Sequence, residues 1–332
     1  MPLVSTRMTT PASPPPRPAW RTWLTRLAPY VITAAVIIAI LRRYELSAIV
    51  AHIANGNALP MIPIALGMIL FLLPLASGWD AIVMQGTLGR PPYLDVIRGK
   101  AGTMVLLALG YAFGNGGYGV WIARMTGAGA RVSGGVVLYI VASDLTAVCL
   151  VATVPMWLYG IDAGALRVAA PVIAIVQIGL MLVGPLRAAP EGAAPGIFHP
   201  WRVMRRSRAL LQIAGRCFNM SVIVVVTWAA ANAFGLVIPF AAMATYMPVI
   251  LLVGSLPVNV GGLGAVQGVW LLAFDRWAPG EKILAFQFLW QLMIGGAVVL
   301  RGLPFVRRVV AEIDQGARTQ AAAAAVPLPN EA

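Results

Sequence analysis

The chain has 332 residues, of which 60% are hydrophobic and 11% charged, and its mean hydropathy is +0.83. Soluble domains carry about 25% charged residues, so this composition excludes a soluble enzyme, a disordered chain and a disulfide-rich secreted scaffold, and leaves a polytopic membrane protein. The net charge of +13 would suggest nucleic acid in a soluble protein. Here the basic residues lie in short loops between apolar runs, where they set orientation and meet anionic headgroups, so no nucleic-acid partner is expected.

Residues 1–26 hold six prolines between Pro2 and Pro18 and no long apolar run, which predicts a disordered tail. The first apolar run, 27–41, is followed by Arg42-Arg43 rather than a small-residue cleavage site, and reads as a retained span. Further runs follow at about 59–84, 103–125, 132–158, 166–186, 209–235, 237–274 and 282–303. Most have the roughly 20 apolar residues that a span needs. Two are interrupted. Gly114-Asn115-Gly116-Gly117 breaks the run 103–125, and Pro257-Val258-Asn259-Val260-Gly261-Gly262-Leu263-Gly264 breaks 237–274. Main chain freed at membrane depth must be buried in protein or line a cavity. Each interrupted run therefore predicts a re-entrant hairpin of two half-helices, with Gly114, Gly116 and Gly117 at the first tip and Gly261, Gly262 and Gly264 at the second. The residues 311–332, with alanines at 321–325 and Pro327 and Pro329, predict a second disordered tail. The expected fold is all-α and integral to the membrane: a single domain over 27–310, with about six transmembrane helices plus two re-entrant hairpins.

Orientation follows from Lys and Arg. With the N-terminus in the cytoplasm and both hairpins returning to their starting side, eighteen basic residues fall inside, chiefly in the tails and in the 90–100 and 187–208 loops, against five outside. The count places both termini in the cytoplasm. It also puts the first hairpin's mouth on the cytoplasmic side and the second's on the outer side. Broken helices in corresponding positions of two halves are the sequence pointer to a transport site at the midplane.

Soluble-type motifs are scarce. Gly99-Lys100 is followed by Ala101, which denies a Walker A motif its hydroxyl, and His52 and His199 stand alone, so no metal or cofactor is expected. Gly114 to Gly119 fits G-x-G-x-x-G, but between apolar half-helices it lacks the βαβ context of a dinucleotide site. Cys149 and Cys217 lie in apolar runs with no C-x-x-C spacing, as packing residues do. At membrane depth the polar residues are few. Asp144, roughly 18 Å into its span, is the one carboxylate placed at the centre, either as a functional group or as a structural partner for broken-helix backbone. Gln291 is also deep. Asn115 and Tyr118 share a helical face, and Asn259 and Gln267 flank the second break. These residues either line a polar chamber for a lipid headgroup or cap half-helices. The basic 187–208 loop, with Phe198 and Trp201, reads as an amphipathic surface segment on anionic lipid.

The stretch from Leu256 through Pro257, Gly261-Gly262-Leu263-Gly264 and on to Gln267 resembles the flippase-like membrane domain of lysylphosphatidylglycerol synthases and their stand-alone relatives, where a Pro-x-x-x-Gly-Gly-Leu-Gly-x-x-Glu segment precedes a short helix and a last span. The segment 114–129 resembles, more loosely, that family's Pro-x-Arg-x-Gly-Glu loop. The chain departs from both patterns. The Arg and Glu of the first are missing, Gln267 replaces the Glu of the second, and Gln291 stands at a commonly basic position. The resemblance implies a lipid-flipping membrane protein with a largely neutral cavity, suited to a zwitterionic or polycyclic cargo as in the hopanoid-associated subgroup. No aminoacyl-transferase domain is present over its span, so no synthase activity is implied.

The expected function is a non-enzymatic, flippase-like lipid transporter of the bacterial inner membrane, with Asn115, Tyr118, Asp144, Asn259, Gln267 and Gln291 as substrate-binding residues, membrane lipids as partners and lipid-biosynthesis enzymes as candidate associates. The alternative is a non-transporting scaffold in a lipid-modifying complex. A third reading, a membrane-embedded transferase, would need Asp80 or Asp162 as an interfacial base.

Overall fold

A computed structural model describes residues 19–89, 91–106, 111–161, 163–184, 195–255, 259 and 263–324. These form helices alone: α1 (Ala19–Arg43), α2 (Leu46–Asn55), α3 (Met61–Leu88), α4 (Tyr93–Met104), α5 (Tyr111–Thr126), α6 (Ala130–Leu158), α7 (Leu166–Val183), α8 (His199–Val203), α9 (Arg206–Phe234), α10 (Phe240–Ser255), α11 (Ala265–Phe274) and α12 (Gly280–Ala324). Among the described residues, α3, α6, α7, α9 and α12 are long and apolar enough to cross a membrane. A multi-pass, all-helical membrane protein is the coarse architecture that the composition predicted.

Two boundaries differ from expectation. α1 begins at Ala19, inside the predicted N-terminal tail. α12 runs on to Ala324, through most of the predicted C-terminal tail. An established helix adds residues without a new nucleation cost, and alanine is the best helix former, so the 321–324 alanines extend α12.

The first interruption is also displaced. α5 runs unbroken through Gly114, Gly116 and Gly117, and the gap between helices falls at 105–110, of which 107–110 lie outside the described residues. Gly117 serves contact rather than a turn, while Gly116 has open space beside it. Gly117 of α5 meets the Leu106 side chain, and Gly99 of α4 meets the Trp121 ring. Each missing Cβ lets one helix of the pair settle on the other, and such contact outweighs the roughly 1 kcal/mol that a glycine costs a helix. The second interruption lies where expected, between α10 and α11. Gly261 and Gly262 lie outside the described residues; Gly264 caps α11 with φ +122° and ψ −125°, a region open in practice only to glycine. Replacing Gly264 with Ala is expected to cost about 1–3 kcal/mol. Gly268, with open space around its would-be Cβ, should accept Ala with no loss. Thermal unfolding in detergent separates the two.

The chain is built twice. α3 and α9 lie antiparallel: Gly86 sits by Arg208, Trp79 by Gly215 and Gly56 by Phe234. Both end on a left-handed glycine, Gly89 (φ +68°) and Gly235 (φ +90°). After Gly235 the Leu236 N–H returns to the Ala231 carbonyl (2.8 Å), closing a Schellman turn. Exchanging α2 with α8, α3 with α9, α4 with α10, α5 with α11 and α6 with α12 preserves many of the contacts, though α5–α12 and α6–α7 have no counterpart. α10 lies along α6 as α4 lies along α12, and α8 touches α6 as α2 touches α12. The α4–α5 pair opens at an end rich in arginine, where Asp95 meets Arg308 and the Arg124 backbone approaches Gly316. The α10–α11 pair opens at the opposite end, where Lys282 donates to the Gly235 carbonyl (2.7 Å) and Trp228 meets Phe240.

A polar clasp fixes the arginine-rich end. Trp121 Nε1 donates to Glu312 Oε2 (2.8 Å), Arg308 Nε to Glu312 Oε1 (2.7 Å), and Arg308 Nη2 to Asp95 Oδ1 (3.2 Å). Trp121→Phe keeps the ring against Gly99 and removes the bond to a charged acceptor, worth about 1.5–3 kcal/mol. Amide exchange in the last turns of α12 should quicken while α3 and α9 stay protected.

Candidate functional site

Four charged side chains, isolated from one another in sequence, meet toward the arginine-rich end. Asp80 comes from α3, Lys100 from α4, Asp144 from α6 and Arg216 from α9. Counted along their helices from that end, they lie roughly 10–21 Å deep. Lys100 Nζ donates to Asp80 Oδ2 (2.6 Å). Arg216 donates through Nη2 to Asp80 Oδ1 and pairs through Nη1 with Asp144 Oδ1 (3.2 Å). With its amide turned to satisfy both sides, Gln212 accepts from Arg216 Nε (3.0 Å) and donates to the Trp79 carbonyl (2.7 Å). Arg216 is thus the hub: its planar fork holds three neighbours in fixed directions, which a lysine could not do. Two acids and two bases leave the group formally neutral, as buried charge requires.

Three sequence expectations change here. Asp144 is not the one deep carboxylate, because Asp80 is fully buried beside it. Asp80 is therefore no interfacial base for a transferase; Asp162 lies outside the described residues. The interior is also not purely neutral. Sequence spacing could not have shown this, because Asp80 and Arg216 are 136 positions apart. The one available signal was an arginine and a lysine with no place in a span or half-helix except beside acids.

Asp144 is the open member: 34% of its side chain stays accessible, against none of Asp80. Tyr118 is buried next to this group, with its hydroxyl on Met84 Sδ (3.6 Å) and its ring stacked on Trp121 at 5.7 Å. Asn115 donates back to the Tyr111 carbonyl (3.2 Å), a bond along its own helix.

The other expected residues lie around a separate cavity of about 260 Å³ bounded by α5, α9, α10, α11 and α12. Asn259 and Gln291 line it; Gln267 does not. Asn259 Nδ2 donates to the Val253 carbonyl (2.6 Å) and its Oδ1 accepts the Val266 N–H (3.3 Å). Gln267 Oε1 accepts the Gly264 N–H (2.6 Å). Asn259 thus ties the end of α10 to the start of α11 and Gln267 caps the first turn of α11, the capping role open to both in the sequence. Asn115 bonds along α5, and the expected residues otherwise fall in two places, with Tyr118 and Asp144 at one and Asn259 and Gln291 at the other. Tyr111 joins them, lining the cavity within electrostatic reach of Asp144.

Sequence reasoning missed Thr227 and Gln287. Both line the cavity, both are buried, and Thr227 Oγ1 and Gln287 Oε1 have no hydrogen-bond partner among the described residues. Buried polar atoms are nearly always paired, so unpaired ones on residues that line a cavity point to a polar ligand there. Gln287 precedes Gln291 at the i, i+4 spacing of one helix face, which was visible in the sequence. Among the described residues no group of His, Cys, Asp and Glu could hold a metal ion. No protein-family model and no curated protein matches the chain.

Proposed function

We propose that this protein is a flippase-like lipid transporter, a stand-alone relative of the lysylphosphatidylglycerol synthase membrane domain. It would sit in the bacterial inner membrane with both termini in the cytoplasm. In this reading α4–α5 and α10–α11 are re-entrant hairpins entering from opposite leaflets, and the lipid headgroup crosses between them while its tails stay in the bilayer. One observation carries it: two helix pairs, open at opposite ends of a bundle built as an inverted repeat, flank a cavity with unpaired buried oxygens. That is the arrangement by which secondary transporters alternate access. The arginine-rich end supports the cytoplasmic assignment. Asp144, accessible and paired with Arg216, is the group placed to couple transport to protons.

Purified protein in proteoliposomes, with fluorescent lipids of several classes including hopanoids, tests the proposal. Inner-leaflet label should become quenchable from outside, and Asp144→Asn should remove the pH dependence of the rate. Vesicles that behave like empty ones with every lipid would reject transport and leave the scaffold reading.

A further inference from the structure

A second chamber of about 190 Å³ adjoins the first, sharing Met68, Ile223 and Ile294 as walls. Its lining is apolar except for Asn219 and Arg301. Arg301 donates through Nη1 to the Ile69 carbonyl of α3. Its Nη2 is buried with no partner among the described residues, as is Asn219 Oδ1. Among the described residues Arg301 makes no ion pair, unlike Lys100 and Arg216 with their acids. A guanidinium held inside the bundle without a counter-ion is costly; an anion with two oxygens in one plane is its natural complement.

The first chamber asks for something different. Gln287 Oε1 and Thr227 Oγ1 need hydrogen-bond partners, and Gln291 adds a third polar group on the same wall. Gln287 Oε1 can only accept, so the ligand must donate. An ammonium would suit a carboxylate, but none lines either chamber, and Arg301 next door repels it. Hydroxyls fit. Trp270 and Trp290 complete the wall, giving aromatic surface for the apolar face of a ring. Together the chambers come within the roughly 300–1,000 Å³ of ordinary ligand sites.

We propose that the joined chambers bind a phospholipid whose phosphodiester carries a hydroxylated ring, a sugar or a cyclitol, with the phosphate on Arg301 and the ring against Gln287, Thr227 and the two tryptophans. The inference rests on the transport reading insofar as it takes this cavity to be the lipid's site.

Native mass spectrometry of the purified protein in mild detergent tests it with defined lipids: phosphatidylinositol, phosphatidylglycerol, monoglucosyl diacylglycerol, phosphatidylethanolamine and phosphatidylcholine. Phosphatidylinositol should be retained best, about tenfold over phosphatidylcholine, with lipids carrying only the phosphate or only the ring between them. Arg301→Gln should erase the advantage of phosphatidylinositol over the glucosyl lipid, and Arg301→Lys should keep part of it. Gln287→Leu with Gln291→Leu should erase its advantage over phosphatidylglycerol, giving a second readout should Arg301→Gln fail to fold. Equal retention of phosphatidylinositol and phosphatidylcholine, preference for phosphatidylethanolamine, or an unchanged ranking in both variants would overturn the proposal. Indiscriminate flipping with no ranking in binding would end this inference and spare the transport reading. Ranked binding without flipping would do the reverse.

Discussion

Asp80→Leu is expected to be the most damaging single substitution in the chain. It strips Lys100 and Arg216 of the carboxylate they share and leaves two buried cations facing Asp144 alone. Breaking a buried pair by removing one partner costs about 3–5 kcal/mol, because the remaining charge is stranded. Asp80 also ties α3 to α4 and α9 at once, so the loss falls on the α4–α5 pair as well as on the central helices. The unfolding temperature in detergent should drop sharply, with aggregation on extraction. Asp80→Leu combined with Lys100→Met restores charge balance and should recover much of the loss, since apolar replacement of a complete buried pair is often neutral. Equal instability of the single and double variants would show that packing volume at Asp80, rather than charge, sets the effect.

Gly302→Leu should come second. α4 and α12 touch backbone to backbone: a Cβ on Gly302 would sit 2.5 Å from the Ala101 carbonyl oxygen, and one on Gly102 would sit 3.1 Å from that of Phe305. Main chain cannot swing aside as a side chain can, so the larger residue must push α4 off α12. Overpacking of this kind costs about 1–3 kcal/mol where side chains can adjust, and more where they cannot. Displaced α4 carries Lys100 away from Asp80, so the two lesions compound. The expected result is loss of folded protein. Gly295→Ala and Gly296→Ala on the same helix, with open space beside each, should be harmless. A well-folded Gly302→Leu variant would mean that the crossing is looser than drawn.

The apolar runs at 59–84, 132–158, 166–186 and 209–235 foretold α3, α6, α7 and α9 to within a few residues, because twenty apolar residues in a row have few other uses. The second interruption was legible for the same kind of reason: Pro257 and clustered glycines oppose a helix strongly and locally. The first was misplaced because the same residue type serves two ends. At Gly117 the modest helix penalty is offset by close contact with Leu106, as at Gly99 of α4 by contact with Trp121, and such contacts have no local signature. Asp80 and Lys100 were visible individually as a candidate interfacial base and a loop base, and Arg216 as a lone arginine within the apolar run 209–235. Their union needed three dimensions, as did the unpaired oxygens of Thr227 and Gln287.

The duplicated architecture carries a consequence for energetics. In the proposed transport cycle, two chemically alike halves would open at either face at the same cost, and the protein would idle evenly between them. They are not alike. The four-charge knot of Asp80, Lys100, Asp144 and Arg216 ties α4 and α6 to α3 and α9 toward the arginine-rich end, whereas at the α10–α11 connection the bonds of Asn259 and Gln267 are those of neutral amides. Parting ions in a low-dielectric interior is far harder than parting amides. In the proposed transport cycle the unloaded molecule should therefore rest shut at the arginine-rich face and yield first at the other, a bias of resting state that side chains impose on an otherwise even-handed frame.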